Sequence, residues 1–125
     1  MKEKDAKRLE CLIRILKNNC VLVEGKRDKE ALNSLGCSDA IPISGRIRQL
    51  REFIKAKKVI VATDLDRRGN QLAAMIKSEL EGSAIVDCET RILLGRLLKL
   101  KYFEDIGRKY AEFCKEVNKN GKNIY

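Results

Sequence analysis

Apolar residues along this chain alternate between two arrangements: stripes spaced three and four apart, and short unbroken runs. The stripes predict amphipathic helices and the runs predict buried strands. Leu9, Leu12, Ile13 and Leu16 predict a helix over residues 4–17, ended by Asn18-Asn19. Cys20-Val-Leu-Val-Glu24 reads as a first strand, and Gly25 turns the chain. Ala31, Leu32 and Leu35 predict a helix over 27–35, closed by Gly36. Ala40-Ile-Pro-Ile43 is a short second strand; Pro42 cannot donate to a ladder, which places this strand at an edge. Ile47, Leu50 and Ile54 predict a helix over 46–56, with Ser44 as its N-cap. Val59 to Ala62 is the third strand, followed by a helix over 67–80 with Leu72, Ala73, Ile76 and Leu80 on one face. Gly82 ends that helix and Ser83 to Val86 is a fourth strand. The last third reads as helical over about 89–118, with a leucine-rich segment at 92–100, a final stripe of Tyr110, Phe113, Cys114 and Val117, and a loose tail from Lys119.

Strands alternating with helices predict an α/β fold: a four-stranded, mostly parallel sheet with helices on both faces and a helical C-terminus. A length of 125 residues fits one domain over 1–125, with its core at about 20–87. The leucine-rich segment is either a core helix covering one sheet face or the seam of a homodimer.

Charge adds a partner class. The net charge is +9 and 36% of the residues are charged, while 44% are hydrophobic, which is enough for a core. A polyanion such as RNA or DNA is the expected partner; a solvated lysine-rich surface is the alternative. Arg46, Arg48, Arg51, Lys55, Lys57 and Lys58 form the most basic region and have the same two readings. The five cysteines are scattered without a C-x-x-C pair, and there is no histidine, so zinc has no local signature. Reduced thiols and a charged start without an apolar targeting core point to the cytoplasm. No apolar run approaches the length of a membrane span.

The chemistry gathers at two strand ends. Val59-Ile-Val-Ala-Thr-Asp64-Leu-Asp66-Arg67-Arg68-Gly69 ends in two carboxylates one residue apart, then bases and a glycine. Cys20-Val-Leu-Val-Glu24-Gly25-Lys26-Arg27-Asp28 has the same design. Ligands of open α/β sheets bind beyond the carboxyl ends of the strands. Neighbouring strands would bring Glu24 about 5 Å across from the aspartate pair. Clustered carboxylates repel unless a cation lies between them, and hard oxygen ligands suit Mg2+, with Mn2+ as a substitute. Taken singly, each acid could equally be a turn residue or helix cap. Asp28 has two readings, dipole partner of its helix or outer-shell residue of the metal. Asp87 is either a rim residue or, in better keeping with the helical segment after it, a cap. Ser44, Gly45 and Arg46 form a loop that could receive phosphate, and capping alone also accounts for Ser44.

Glu24-Gly25-Lys26-Arg27-Asp28 and Thr63-Asp64-Leu65-Asp66-Arg67-Arg68-Gly69 together resemble the Toprim domain, over roughly Cys20 to Asp87. This domain occurs in topoisomerases, bacterial-type primases, OLD-family nucleases and the ribonuclease that matures 5S ribosomal RNA. The short length and the Val-Glu-Gly-Lys opening most resemble stand-alone Toprim proteins and the catalytic domain of that ribonuclease. The resemblance implies a Rossmann-like three-layer sandwich with strand order 2-1-3-4. It implies Glu24 as general acid/base or third ligand, Asp64 and Asp66 as Mg2+ ligands, and Gly25, Lys26, Arg67, Arg68 and Gly69 as phosphate contacts. Arg68 stands where topoisomerases commonly carry another acid, so weaker or single-metal binding is expected. Tyr102, Tyr110 and Tyr125 have no strand-passage domain around them, and there is no primase zinc region. Three functions are expected in descending order: a Mg2+-dependent nuclease, a non-catalytic metal-binding nucleic-acid module or partner subunit, and a nucleotide-binding α/β domain.

Overall fold

The structure, a computed structural model, describes residues 2–121. Four parallel strands form one sheet: β1 (Cys20–Val23), β2 (Ala40–Pro42), β3 (Lys58–Val61) and β4 (Ile85–Asp87), in spatial order β2-β1-β3-β4. Six α-helices accompany them: α1 (Lys2–Lys17), α2 (Lys26–Ser34), α3 (Leu50–Phe53), α4 (Arg67–Glu79), α5 (Thr90–Leu98) and α6 (Ile106–Gly121). The expected sandwich and strand order are both present.

Strand alternation divides the core in two. Val21, Val23, Ile60 and Ala62 face one side and pack with Leu9, Leu16, Leu32, Leu94, Phe103 and Ile106 from α1, α2, α5 and the start of α6. Cys20, Leu22, Val59 and Val61 face the other and pack with Ile47, Leu50, Ile54, Ala73, Ile76 and Leu80 around α3 and α4. β2 pairs only with β1, with Val23 opposite Pro42, so the proline lies on an edge strand as expected. From β1 the chain steps outward to β2 over the first face, and from β3 it steps outward to β4 over the second. The sheet therefore changes direction between β1 and β3, the switch point where open α/β sheets bind ligands. Leu22 lies opposite Val61, so the two strands end within one residue of each other.

Three boundaries differ from the sequence reading. The helix expected over 46–56 is a 3₁₀ turn at Ile47–Gln49 followed by the single turn of α3. Ser44 (φ 41°) and Gly45 (φ 79°) are left-handed, and Ser44 makes no capping bond; Arg46 N–H closes onto Ile43 O at 2.7 Å instead. Ile54 is extended to feed β3, yet Ile47, Leu50 and Ile54 are all buried, so the apolar spacing was a true signal. β4 begins later than Ser83, because Ser83 and Ala84 N–H both return to Leu80 O in the turn made by Gly82 (φ 79°). α6 runs on to Gly121 where a tail was expected from Lys119; residues 122–125 lie outside the described residues.

The inward face of the leucine-rich segment belongs to the core. Leu94, Leu98 and Leu100 are buried in the first cluster, and Leu93 is its exposed leucine. The basic region is partly structural: Arg51 Nε donates to Glu79 O at 2.8 Å and its Nη2 to Glu81 O, capping the carboxyl end of α4. Arg46 lies 4.3 Å from the Phe53 ring centroid. Among the described residues, no helix is long and apolar enough to cross a membrane.

Phe103 is fully buried, in the short segment between α5 and α6. Phe103→Ala is expected to destabilise the protein by about 3–5 kcal/mol, measured by urea denaturation. A loss under about 1 kcal/mol would mean that this segment is not part of the core.

Candidate metal centre at the carboxyl edge of the sheet

Four acids meet around the β1–β3 switch point, and each accepts from a backbone amide. Glu24 Oε2 accepts from Asp64 N–H at 2.8 Å, which ties the ends of β1 and β3 together. Asp28 is buried in the first turn of α2 and accepts from Gly25 N–H at 3.0 Å, closing the turn after Glu24. Asp66 is the N-cap of α4, accepting from Gly69 N–H at 2.7 Å. Asp64 Oδ1 accepts from Phe103 N–H at 2.9 Å. Asp87 is not at this centre; it caps α5 through Glu89 N–H, Thr90 N–H and the Thr90 hydroxyl, as its sequence context suggested.

Two of these acids, Asp64 and Asp28, hold a proton more tightly than an ordinary carboxyl, chiefly because they are buried. Burial pushes Asp64 up to about 6; the Phe103 amide opposes this, and Glu24, Asp28 and Asp66 add to it. Burial also raises Asp28, against its bond from Gly25 N–H, with Glu24 and Glu104 acting in the same direction as burial.

The Asp64–Asp66 loop is fixed from below. Gly69 is buried, and a Cβ there would lie 1.7 Å from Asp64 O, inside its van der Waals radius. The Thr63 hydroxyl donates to Gly69 O at 2.7 Å. This packing requires glycine at 69 independently of any phosphate. Gly25 is different: its backbone is extended and a Cβ there would meet nothing within 4 Å, so the fold itself does not demand glycine.

Two contributions were not read from the sequence. Arg91, only 3% exposed, donates from Nε to Thr63 O at 3.0 Å and from Nη2 to Asp64 O and Asn70 Oδ1. Burial lowers its guanidinium from the ordinary value, while Cys88, Glu24, Asp64 and Asp66 act to raise it. It is a cation held beneath the acids by the loop's own carbonyls. A signal existed: Arg91, Leu94 and Leu98 share a helix face at i, i+3 and i+7. The second contribution is the segment before α6. Leu65 N–H donates to Lys101 O at 2.7 Å, and the Phe103 amide serves Asp64. No side-chain pattern announces such backbone contacts.

The remaining predicted residues surround this centre. Lys26, Arg27, Arg67 and Arg68 are exposed at the starts of α2 and α4. Ser44, Gly45 and Arg46 are exposed at the end of β2, with Ser44 N–H on Glu24 O at 3.1 Å. Arg46 Nη2 returns to Pro42 O, and the helix start invoked for phosphate at Ser44 is absent.

Among the described residues, no three acids or cysteines close into a cation cage. The donor chemistry nevertheless suits Mg2+, which keeps several waters and takes one or two carboxylates. One oxygen each of Glu24, Asp64 and Asp66 is engaged by an amide, and the second accepts no protein hydrogen bond among the described residues. No buried side-chain oxygen there lacks a partner, so these second oxygens face solvent.

The sequence profile of the Toprim domain matches residues 19–94. The chain belongs to the Toprim domain family. Relatives named UPF0292 protein extend the similarity beyond that match. The one from Thermococcus sibiricus is 36% identical over 115 residues, covering 86% of this chain and 91% of its own. The one from Pyrococcus abyssi is 35% identical over 99 residues, covering 74% and 75%. A solved structure of a protein from Aquifex aeolicus is similar with a TM-score of 0.69 and 30% identity, covering 78% of this chain and 96% of that one. Toprim membership supports a metal-binding, nucleic-acid-associated role.

Two tests address this Toprim centre. The folded value of Asp64, about 6, lies above its ordinary value of 3.8, so the folded state holds the proton more tightly. The associated stability is present below pH 3.8 and is lost as pH rises through about 6. Asp64→Asn keeps the acceptor for Phe103 and removes the charge. In EDTA it is expected to stabilise the protein by about 1–2 kcal/mol near pH ~7.5, after discounting for solvent screening, and by almost nothing near pH ~4. Urea titrations at both values check this; equal effects at both would contradict it. Gly69→Ala is expected to cost about 3 kcal/mol or more, or to prevent folding, by the same assay.

Proposed function

We propose that this Toprim protein is a Mg2+-dependent enzyme of nucleic-acid phosphodiesters, a nuclease acting on RNA or DNA. The observation that carries the reading is the joining of Glu24 to Asp64 N–H at the switch point, with solvent-facing oxygens on Glu24, Asp64 and Asp66. An acidic centre ringed by exposed Lys26, Arg27, Arg67 and Arg68 suits a polyanion whose reacting phosphate needs a cation.

In this reading Asp64 and Asp66 hold the ion, directly or through water, and Glu24 is a further ligand or the proton-transfer group. Bound Mg2+ would supply polarisation of a phosphoryl oxygen and charge neutralisation. Asp28 keeps Glu24 in place by closing the turn at Gly25, whose open backbone leaves room for a phosphate. Lys26, Arg67 and Arg68 pair with flanking phosphates, and Ser44, Gly45 and Arg46 extend that track past Glu24. Gly69 serves by holding the loop.

A second reading, a metal-binding nucleic-acid module without turnover, is favoured by one observation. The acids stand open around the centre, and Arg68 occupies the position of a further acid. Labelled structured RNA, single-stranded DNA and duplex DNA, each with Mg2+, Mn2+ or EDTA, separate the two. Metal-dependent cleavage is expected, lowered about 10²-fold or more in Glu24→Gln with the fold intact. Binding without cleavage would replace the enzyme reading by the module; neither binding nor cleavage would remove both.

A further inference from the structure

The Toprim match ends at residue 94, but the carboxyl edge does not. Residues 101–104 return to it from beyond α5 and are pinned on both sides of one side chain. Lys101 O accepts from Leu65 N–H at 2.7 Å, and Phe103 N–H donates to Asp64 Oδ1 at 2.9 Å. Between them lies Tyr102, whose own carbonyl accepts from Asp105 N–H at 2.9 Å. The backbone at Tyr102 is extended, so neighbouring side chains diverge. Phe103 enters the core at 0% exposure, and Tyr102 is left 41% exposed. Tyr102 is the one exposed aromatic among the residues whose side chains are described. Lys101 is also exposed, with its Nζ 5.4 Å from the Tyr102 ring centroid.

A tyrosine anchored one residue from an Asp64 contact is a pre-ordered platform beside the acidic centre. Single-stranded nucleic acid is held by bases stacking on such rings and by phosphates pairing with nearby cations. We propose that Tyr102 and Lys101 form a nucleotide subsite beside Asp64, in which an unpaired base stacks on the Tyr102 ring and Lys101 meets the adjoining phosphate. The inference rests on the phosphodiester reading of the site and specifies its substrate: the strand is unpaired at the nucleotide next to the reacting phosphate. The rigid backbone supports this further, because a platform already ordered loses little freedom when a base arrives.

The test is fluorescence anisotropy of labelled single-stranded oligonucleotides, with Ca2+ in place of Mg2+, on the full chain. Wild-type protein is compared with Tyr102→Ala, Tyr102→Phe and Lys101→Ala, and an intact strand with a series carrying one abasic position. Expected are about tenfold weaker binding for Tyr102→Ala, rescue by Tyr102→Phe, and a salt slope smaller by about one for Lys101→Ala. One abasic position should weaken wild-type binding by a similar factor and leave Tyr102→Ala binding unchanged. Because Tyr102 is outside the core, thermal melts should show all three variants folded. Wild-type binding that Tyr102→Ala leaves undiminished overturns the subsite alone, as does a loss that Tyr102→Phe fails to rescue. Failure of the wild-type protein to bind single strands, while it binds duplex DNA or structured RNA in the same assay, also overturns the subsite alone; failure to bind any of the three overturns the phosphodiester reading and the subsite with it.

Discussion

The bond from Asp64 N–H to Glu24 Oε2 joins two strand ends that are forty positions apart in the chain and carry like charge. Left to themselves, carboxylates at this spacing would push β1 and β3 apart. They are instead held by amides: Asp64 serves Glu24, Gly25 serves Asp28, Gly69 serves Asp66 and Phe103 serves Asp64. Each acid is thereby oriented by a neighbour's backbone. Charge-assisted bonds of this type are about twice as strong as neutral ones, which is how the edge tolerates so much negative charge. Arg91 adds a buried positive charge beneath the same loop. The geometry of the centre is therefore a property of the folded backbone.

Placement at the switch point gives that geometry an opening to solvent. Helices leave the sheet in opposite directions on either side of it, and α2 and α4 both begin there. Their first residues put Lys26, Arg27, Arg67 and Arg68 around the acids. A positive rim therefore surrounds a negative centre, and the two signs of charge are kept apart at this edge. Separation of the two signs, more than the net charge of +9, distinguishes this edge from a merely basic surface.

The strands and their acids were legible because burial on both faces produces unbroken apolar runs, and both runs ended in acids followed closely by basic residues and a glycine. The partnership of β1 with β3 was not legible from pattern. It came from family resemblance, since parallel pairing leaves no local mark on sequence. Three features escaped for distinct reasons. The helix over 46–56 gave way because left-handed Ser44 and extended Ile54 satisfy the tertiary path from β2 to β3, although the buried positions were right. Arg91 was hidden by its charge, although its spacing from Leu94 and Leu98 marked an inward face. The Lys101 and Phe103 contacts are made by main-chain groups, which every residue carries and no sequence pattern reports.

The spread of the centre along the chain has a consequence for synthesis. Glu24 and Asp28 emerge first, Asp64 and Asp66 about forty residues later, Arg91 after that, and the Phe103 amide last. Parallel pairing over such separations is slow to form and cannot begin until the later strand exists. A nascent chain that stops short of residue 103 has its acids but lacks the amide that turns Asp64. Translation thus delivers the charged parts early and their final alignment late.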